Sequence, residues 1–229
     1  MDDRTAALMR QAWPRQLTFL IFMAALLFAP AGTLRFWQAW LFLAVFVGCT
    51  VATGIYFVKR DPALVERRMK VGPAAEHEPA QKLIITLMMV SFLLLMLVSA
   101  FDRRWHWSAV PAWLVVMAEL GIVASFLIFL VVMSQNSYAA STVRVEAGQP
   151  VIARGLYGVV RHPMYSGALL MAACIPLALG SYWSLPLAIL VVSLLAWRLI
   201  DEERVLRRDL PGYAEYCERV RYRLVPGVW

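Results

Sequence analysis

Metal-ligating side chains are scarce in this chain, which has three histidines and three cysteines among 229 residues. His77, His106 and His162 lie far apart, and no H-x-x-x-H pattern joins any two of them. Cys49 and Cys174 fall in apolar runs and Cys217 near the C-terminal end. An odd count without C-x-x-C spacing excludes a disulfide framework and argues against a zinc site. No metal is expected. Charge is also sparse, at 16% of residues, against roughly 25% in soluble domains. Acids are the scarcer sign, 15 against 22 lysines and arginines, for a net charge of +7. In place of charge the chain is 61% hydrophobic, with a mean hydropathy of +0.65. These values exclude a soluble domain and point to an integral membrane protein. No basic face with interleaved aromatics accompanies the positive charge, so nucleic acid is not an expected partner. Arginine-rich loops on the inner side of a membrane account for it instead.

Apolar runs long enough to cross a bilayer, about 20 residues each, fall at 17–34, 36–58, 83–100, 110–133, 163–180 and 184–200. The fold class expected is all-α, a polytopic membrane protein with about six spans. Basic residues before the first run and Ala29-Pro30-Ala31 near its end imitate a signal peptide, but further spans follow, so the first run reads as a retained helix. With the N-terminus inside, the inner segments hold Arg4, Arg10, Arg15, Lys59, Arg60, Arg67, Arg68, Lys70, Lys82, Arg144, Arg154 and Arg161, while the outer ones hold Arg35, Arg103 and Arg104. That bias places both termini in the cytoplasm. Residues 59–82 read either as a short amphipathic helix on the inner leaflet or as a solvated charged loop. Trp105, Trp107 and Trp183 read as interfacial anchors at the other face. The chain is read as a single domain, 1–229, with membrane spans over 17–133 and a catalytic core over 134–229.

The last hairpin carries the chemistry. Pro163 suits the first turn of a helix, where its missing N–H would lack a partner anyway. The two apolar legs that follow are nearly equal in length, so Arg161-His162 and Glu202-Glu203 emerge side by side at one membrane face. The start of the fifth span offers free N–H groups and the positive end of a helix dipole to an anion. Arg161 can grip a carboxylate, the glutamates an ammonium or a ribose diol, and Tyr157 and Tyr165 offer ring faces to a cation. Neighbouring helix positions point about 100° apart, so Glu202 and Glu203 cannot face one spot. S-adenosyl-L-methionine fits this inventory, with its carboxylate, ammonium, sulfonium, ribose and adenine. The bland alternative makes Arg161 a positive-inside residue and pairs Glu202 with Arg198 one turn earlier.

The stretches G-L-Y-G-V-V-R-H-P-M-Y-S-G, E-E-R-V-L and P-G-Y-A-E-Y-C-E-R-V-R-Y-R-L-V-P-G resemble the isoprenylcysteine carboxyl methyltransferase family, whose wider relatives include phospholipid N-methyltransferases. The likeness runs over about 136–229, and D-P-A-L-V-E-R-R-M-K looks like bacterial members. It implies a cytoplasm-facing S-adenosyl-L-methionine site lined by Gly155, Tyr157, Arg161, His162, Pro163, Tyr165 and Gly167. Glu202 and Glu203 would stand opposite, and residues 213–226 would cover the site. Leu156 departs from the common G-P-Y. The resemblance also fits an absence, since no strand and glycine-rich turn of the soluble nucleotide-binding kind occurs around Gly155 and Gly158.

Arg161 and Glu203 are the catalytic assignments, Arg161 orienting the carboxylate of substrate or cofactor. Asn136, at the end of the fourth span, borders the site and is assigned to the acceptor; capping that helix is the other reading. The acceptor is a lipid-like or small hydrophobic carboxylate, amine or thiol, beside membrane lipids as partners. Glu119, inside the fourth span, stands where a charge costs about 2.5–3.5 kcal/mol and receives no role. Two alternatives stand: an NADPH-dependent sterol-reductase-like oxidoreductase and a non-catalytic membrane protein. The expected location is a bacterial inner membrane.

Overall fold

A computed structural model describes residues 3–69, 71–139 and 141–229, with side chains from Leu8 onward, so the expectations for Arg4 and Lys70 fall outside it. Among the described residues there are eight α-helices and no strand: α1 Asp3–Ala31, α2 Trp37–Arg60, α3 Pro62–Arg68, α4 Pro79–Trp105, α5 Ala112–Gln135, α6 Pro163–Ala178, α7 Leu185–Asp209 and α8 Tyr213–Arg219. The protein is an all-α polytopic membrane protein. Each of the six apolar runs is a helix, although the first starts well before residue 17. Four helices, α1, α2, α4 and α5, are long and apolar enough to cross a membrane. α6 has 16 residues, about 24 Å at 1.5 Å per residue, short of a hydrocarbon layer of about 30 Å. α7 is longer, but its last turns beyond Ile200 are charged and leave the apolar run.

Prolines start several of these helices. Pro62, Pro79 and Pro163 each sit in a first turn, where their fixed φ is helical and no hydrogen bond is lost. Asp61 caps α3 by accepting from the Leu64 N–H at 3.0 Å. The chain reverses between α6 and α7 at Gly180, whose φ of +71° suits glycine. A side chain there would also meet the Gln38 amide.

The helices close a ring in which α1 packs on α2 and α4, α2 on α5, α5 on α6, α6 on α7, and α7 on α4. The largest apolar core joins α1, α2, α4, α5, α6 and α7 through Leu27, Phe42, Met96, Ile122, Leu179 and Ala188. It fills the half of the bundle near the α6–α7 turn. Buried Asp102 pins that end by accepting from Ser108 Oγ at 2.6 Å and from Ser181 Oγ. Trp105, Trp107 and Trp183 cluster there and are exposed. The opposite end lacks this packing, and a second, small core of Leu210, Tyr213, Tyr216 and Val220 seats α8 there.

The segment 59–82 does contain a short helix, as one of its two readings expected, and that helix is packed into the protein. Its helix α3 buries Leu64 against Phe57 and Met133, Arg67 pairs with Glu146 at 3.0 Å, and Arg68 donates to the Ala139 carbonyl at 3.0 Å. It is a packed clamp on the loop after α5.

Candidate functional site

Nearly equal legs of α6 and α7 bring the two ends of the hairpin together as the span lengths require. Arg161 Nη1 lies 3.1 Å and His162 Nε2 3.3 Å from Glu203 Oε1. Tyr165 donates its hydroxyl hydrogen to Glu202 in a short hydrogen bond. The two glutamates diverge, as their helix positions demand. Glu202 faces a cavity of about 350 Å³, within the usual range of small-molecule sites. Glu203 points behind the wall and is buried.

The cavity has a polar and an apolar part. Arg68, Arg144, Arg161, Arg198, His162 and Glu202 supply charge or polarity, and Tyr138, Tyr157, Tyr165, Tyr213 and Tyr216 supply rings. Ile85 and Met88 of α4, Phe129 of α5, Ala168 of α6 and Leu195 of α7 form the apolar part. The wall therefore draws on α3 and α4 as well as on residues 134–229.

Glu203 is a hub. Besides Arg161 and His162 it accepts from Arg223 Nε at 3.1 Å. Burial alone would raise its carboxyl. The hydrogen bond and charge of His162, the Arg161 guanidinium and the Arg223 hydrogen bond outweigh that and bring it down to about 2. The hub ties down the C-terminal segment, as do main-chain bonds from Arg161 N to the Tyr222 carbonyl (2.9 Å) and from His162 N to that of Arg223 (3.0 Å). Ser166 Oγ adds a bond to the Leu224 carbonyl at 2.7 Å. Residues 213–226 thus lie over the start of α6. This narrows one expectation: the N–H groups of Arg161 and His162 at the helix start are used by the tail, and among the described residues that of Met164, which lines the cavity, keeps no partner. Pro163 has no N–H, and that of Tyr165 is bonded to the His162 carbonyl.

A second hub, Arg198, is the main residue missed from sequence. It is buried and donates to Tyr165 Oη (3.0 Å), Gln81 Oε1 (2.8 Å), Glu76 Oε1 (2.9 Å) and the Ser141 carbonyl (2.9 Å). Glu76 in turn accepts from the Val143 N–H at 3.0 Å. The Arg198–Glu202 ion pair of the bland alternative is replaced by a relay in which Arg198 donates to Tyr165 and Tyr165 donates to Glu202. The signal available was an arginine inside the apolar run S-L-L-A-W-R-L-I.

Asn136 lines the cavity with both ends of its amide engaged. Nδ2 donates to Tyr157 Oη at 3.1 Å, and Oδ1 accepts from the Tyr138 N–H at 2.9 Å. It is bonded to the Tyr157 hydroxyl. Burial, with Glu202 nearby, pushes the Tyr157 phenol up to about 12 despite the Asn136 bond and Arg68, so it remains an O–H donor at neutral pH.

Gly155 and Gly167 stand outside the cavity lining, and packing explains both. Gly155 has φ +61°, and an added Cβ would meet the Gln135 amide at 2.4 Å. That amide accepts from the Leu156 N–H and anchors the loop. At Gly167 a Cβ would come within 2.7 Å of Phe129 on α5. Gly155→Ala is expected to cost about 1–2 kcal/mol from backbone strain and about 1 kcal/mol more from the displaced hydrogen bond. Gly167→Ala is expected to cost about 1–3 kcal/mol by overpacking. Thermal unfolding in detergent measures both. Glu119 is buried without a hydrogen-bond partner among the described residues.

A membrane-embedded helical bundle with a polar cavity at one end, roofed by loops, defines the class of protein. Residues 112–210, somewhat less than half of the chain, match the phospholipid methyltransferase family model. The match straddles the expected division at 133/134. A Delta(14)-sterol reductase of Mus musculus, TM7SF2, is 35% identical over 91 residues, which cover 38% of this chain. The match spans 22% of that relative's own length, about a fifth.

Proposed function

We propose that the protein is an S-adenosyl-L-methionine-dependent membrane methyltransferase acting on a lipid-like or small hydrophobic acceptor. The observation that carries this reading is the cavity itself, where a carboxylate, a set of tyrosine rings and Arg161 meet an apolar wall made by long apolar helices. The donor set fits the cofactor. Glu202, oriented by Tyr165, would hold its ammonium or ribose hydroxyls. The rings of Tyr157, Tyr213 and Tyr216 would face the adenine or the cationic sulfur. Arg161 lines the cavity and would bring its positive charge near the cofactor carboxylate. Bound there, S-adenosyl-L-methionine supplies an electrophilic methyl group for in-line displacement.

The protein's own part is alignment and exclusion of water. Arg198 and Tyr165 fix the Glu202 carboxylate, while Glu203 fixes Arg161 and the covering tail. The apolar residues of α4, α5 and α7 would receive the acceptor's tail. A carboxylate acceptor needs no general base. The family match at 112–210 supports methyl transfer, and the positive-inside bias supports a cavity facing the cytoplasm with both termini on that side.

A second reading has one specific support, the sterol reductase relative. A phosphate-bearing nucleotide such as NADPH would suit the four cavity arginines, but it brings no ammonium and offers the Tyr165–Glu202 arrangement only ribose hydroxyls. Calorimetry separates the two. Binding of S-adenosyl-L-methionine, weakened roughly tenfold or more by Glu202→Gln, supports the methyltransferase. Binding of NADPH alone overturns it. Labelled S-adenosyl-L-methionine incubated with lipid extract and purified protein then identifies, by mass spectrometry, the molecule that gains the methyl group.

A further inference from the structure

A second basic group stands at the end of the bundle opposite the cavity. The segments that turn there, 29–40, 100–113 and 179–186, hold Arg35, Arg103 and Arg104 against one carboxylate, Asp102. Asp102 does not offset them. It is buried and accepts from the Ser108 N–H at 2.7 Å, from Ser108 Oγ at 2.6 Å and from Ser181 Oγ. Among the described residues none of the three arginines forms an ion pair. The excess of basic residues lies at the cavity end, so this group runs against the charge pattern of the chain.

The two guanidinium groups of α4 converge on the turn between α1 and α2. Arg103 Nη2 donates to the Arg35 carbonyl at 2.8 Å, and Arg104 Nη1 donates to the Pro30 carbonyl at 3.3 Å. A side chain at Gly32 would meet the Arg104 guanidinium at 3.6 Å. Each fork carries five N–H groups, and these bonds use one apiece. Arg103 Nε is enclosed and cannot reach a ligand. Its Nη1 is not enclosed and has no partner among the described residues. Arg35 and Arg104 are exposed. Like charges gathered on one turn repel one another, and an anion between them would relieve that. Aromatic side chains set the depth of the group. Trp37 and Trp40 follow Arg35 in the chain, Trp105 and Trp107 follow Arg104, and all four are exposed. Exposed tryptophans collect at the headgroup level of a membrane, so the arginines stand where lipid phosphates lie.

We infer that Arg103 and Arg104, with Arg35 beside them, bind the phosphodiester of an anionic phospholipid such as phosphatidylglycerol, whose acyl chains lie in the apolar layer beside α1 and α4. The planar forks match phosphate oxygens in pairs. A zwitterionic head brings its own cation and leaves the charge of the three arginines uncorrected. A head with net negative charge removes it. α1 packs on α4, and a lipid held by the α1–α2 turn and by the end of α4 braces that contact at its open edge. The site is independent of the chemistry of the cavity.

Tryptophan quenching reads this end of the protein, because Trp37, Trp40, Trp105, Trp107, Trp113 and Trp183 lie there, six of the nine in the chain. Full-length protein in phosphatidylcholine vesicles is titrated with brominated phosphatidylglycerol or with brominated phosphatidylcholine of the same chains. The expected result is a preference for phosphatidylglycerol of at least about fivefold, the effect of one arginine beside a charged lipid. Arg103→Gln combined with Arg104→Gln should abolish the preference. Arg103→Lys combined with Arg104→Lys should keep part of it. Arg104→Gln alone changes an exposed side chain and should lower the preference, which keeps the test open if the double variant does not fold. Lys59→Gln combined with Arg60→Gln, at the far end of α2, is the control and should leave the preference intact. Equal quenching by the two lipids in the wild type overturns the inference. So does an undiminished preference after both α4 arginines are lost, as expected if they only brace the turn, and so does an equal loss in the control. Inorganic phosphate that removes the preference would assign the site to a free anion and overturn the lipid.

Discussion

Glu203→Gln is expected to detach the C-terminal segment and end S-adenosyl-L-methionine binding. The carboxylate is the shared partner of Arg161, His162 and Arg223. Glutamine keeps the shape and removes the charge, which leaves the Arg161 guanidinium buried and unpaired. Breaking one side of a buried ion pair costs about 3–5 kcal/mol, which lowers the unfolding temperature in detergent by roughly 10 °C in a chain of this size. Cleavage by added protease should appear within 213–226. The same carboxylate gives the site an acid limit. Its pKa falls from 4.5 to about 2 on folding, and a depressed value means that the stabilisation is present above the unfolded value. It is lost as pH drops from about 4.5 towards 2, and its full size is about 3 kcal/mol. Tail protection should fade over that window in the wild type and be absent at every pH in Glu203→Gln. A variant as stable and as protease-resistant as wild type would remove Glu203 from the centre of the site.

Loss of Arg198 is the second large effect. Its guanidinium joins α7 to Glu76 and Gln81, to the loop at Ser141 and to Tyr165. Arg198→Ala leaves the Glu76 carboxylate buried without its cation, at a cost again of about 3–5 kcal/mol. Arg198→Lys should recover little, because an ammonium cannot span partners placed for a planar fork. The distinctive result comes from the pair. Glu76→Met with Arg198→Met should be less destabilised than the sum of the single changes, with a coupling of about 0.5–3 kcal/mol, since neither charge is then stranded. Stability should return in the double variant without cofactor binding, because Tyr165 and Glu202 have lost the group that orients them. Additive costs would show that the two residues act apart.

Much of the architecture was legible in the residues. Runs of apolar side chains without charge have to be helical where no water can satisfy the backbone, and all six runs are helices. Equal legs on either side of Gly180 brought Arg161-His162 to Glu202-Glu203. The 100° step between helix neighbours required that one glutamate face the cavity and the other turn away. Legibility failed where partners are far apart in the chain. Arg198 and Glu76 are separated by 122 residues, and nothing local marks Glu76 or Gln81 as their companions. The segment 59–82 looked like a surface element because its charges are what a periodicity reading registers. Leu64, buried against Phe57 and Met133, is what holds it down. Gly155 and Gly167 sat inside the motif that marks the site, yet they serve its packing.

The chain's own composition and order determined that it is a helical membrane protein, that its polar chemistry gathers at one end of the last hairpin, and that Arg161, His162, Glu202 and Glu203 belong together there. Hydrophobic run length and helical rise are local properties, and they suffice for that much. Tertiary structure alone decided that Glu202 faces the cavity while Glu203 anchors the tail. It also decided that Arg198 is the central cation and that Arg68 is left without a carboxylate partner among the described residues. Those outcomes depend on which distant carboxylate reaches each arginine once the bundle has packed, and sequence spacing carries no record of that choice.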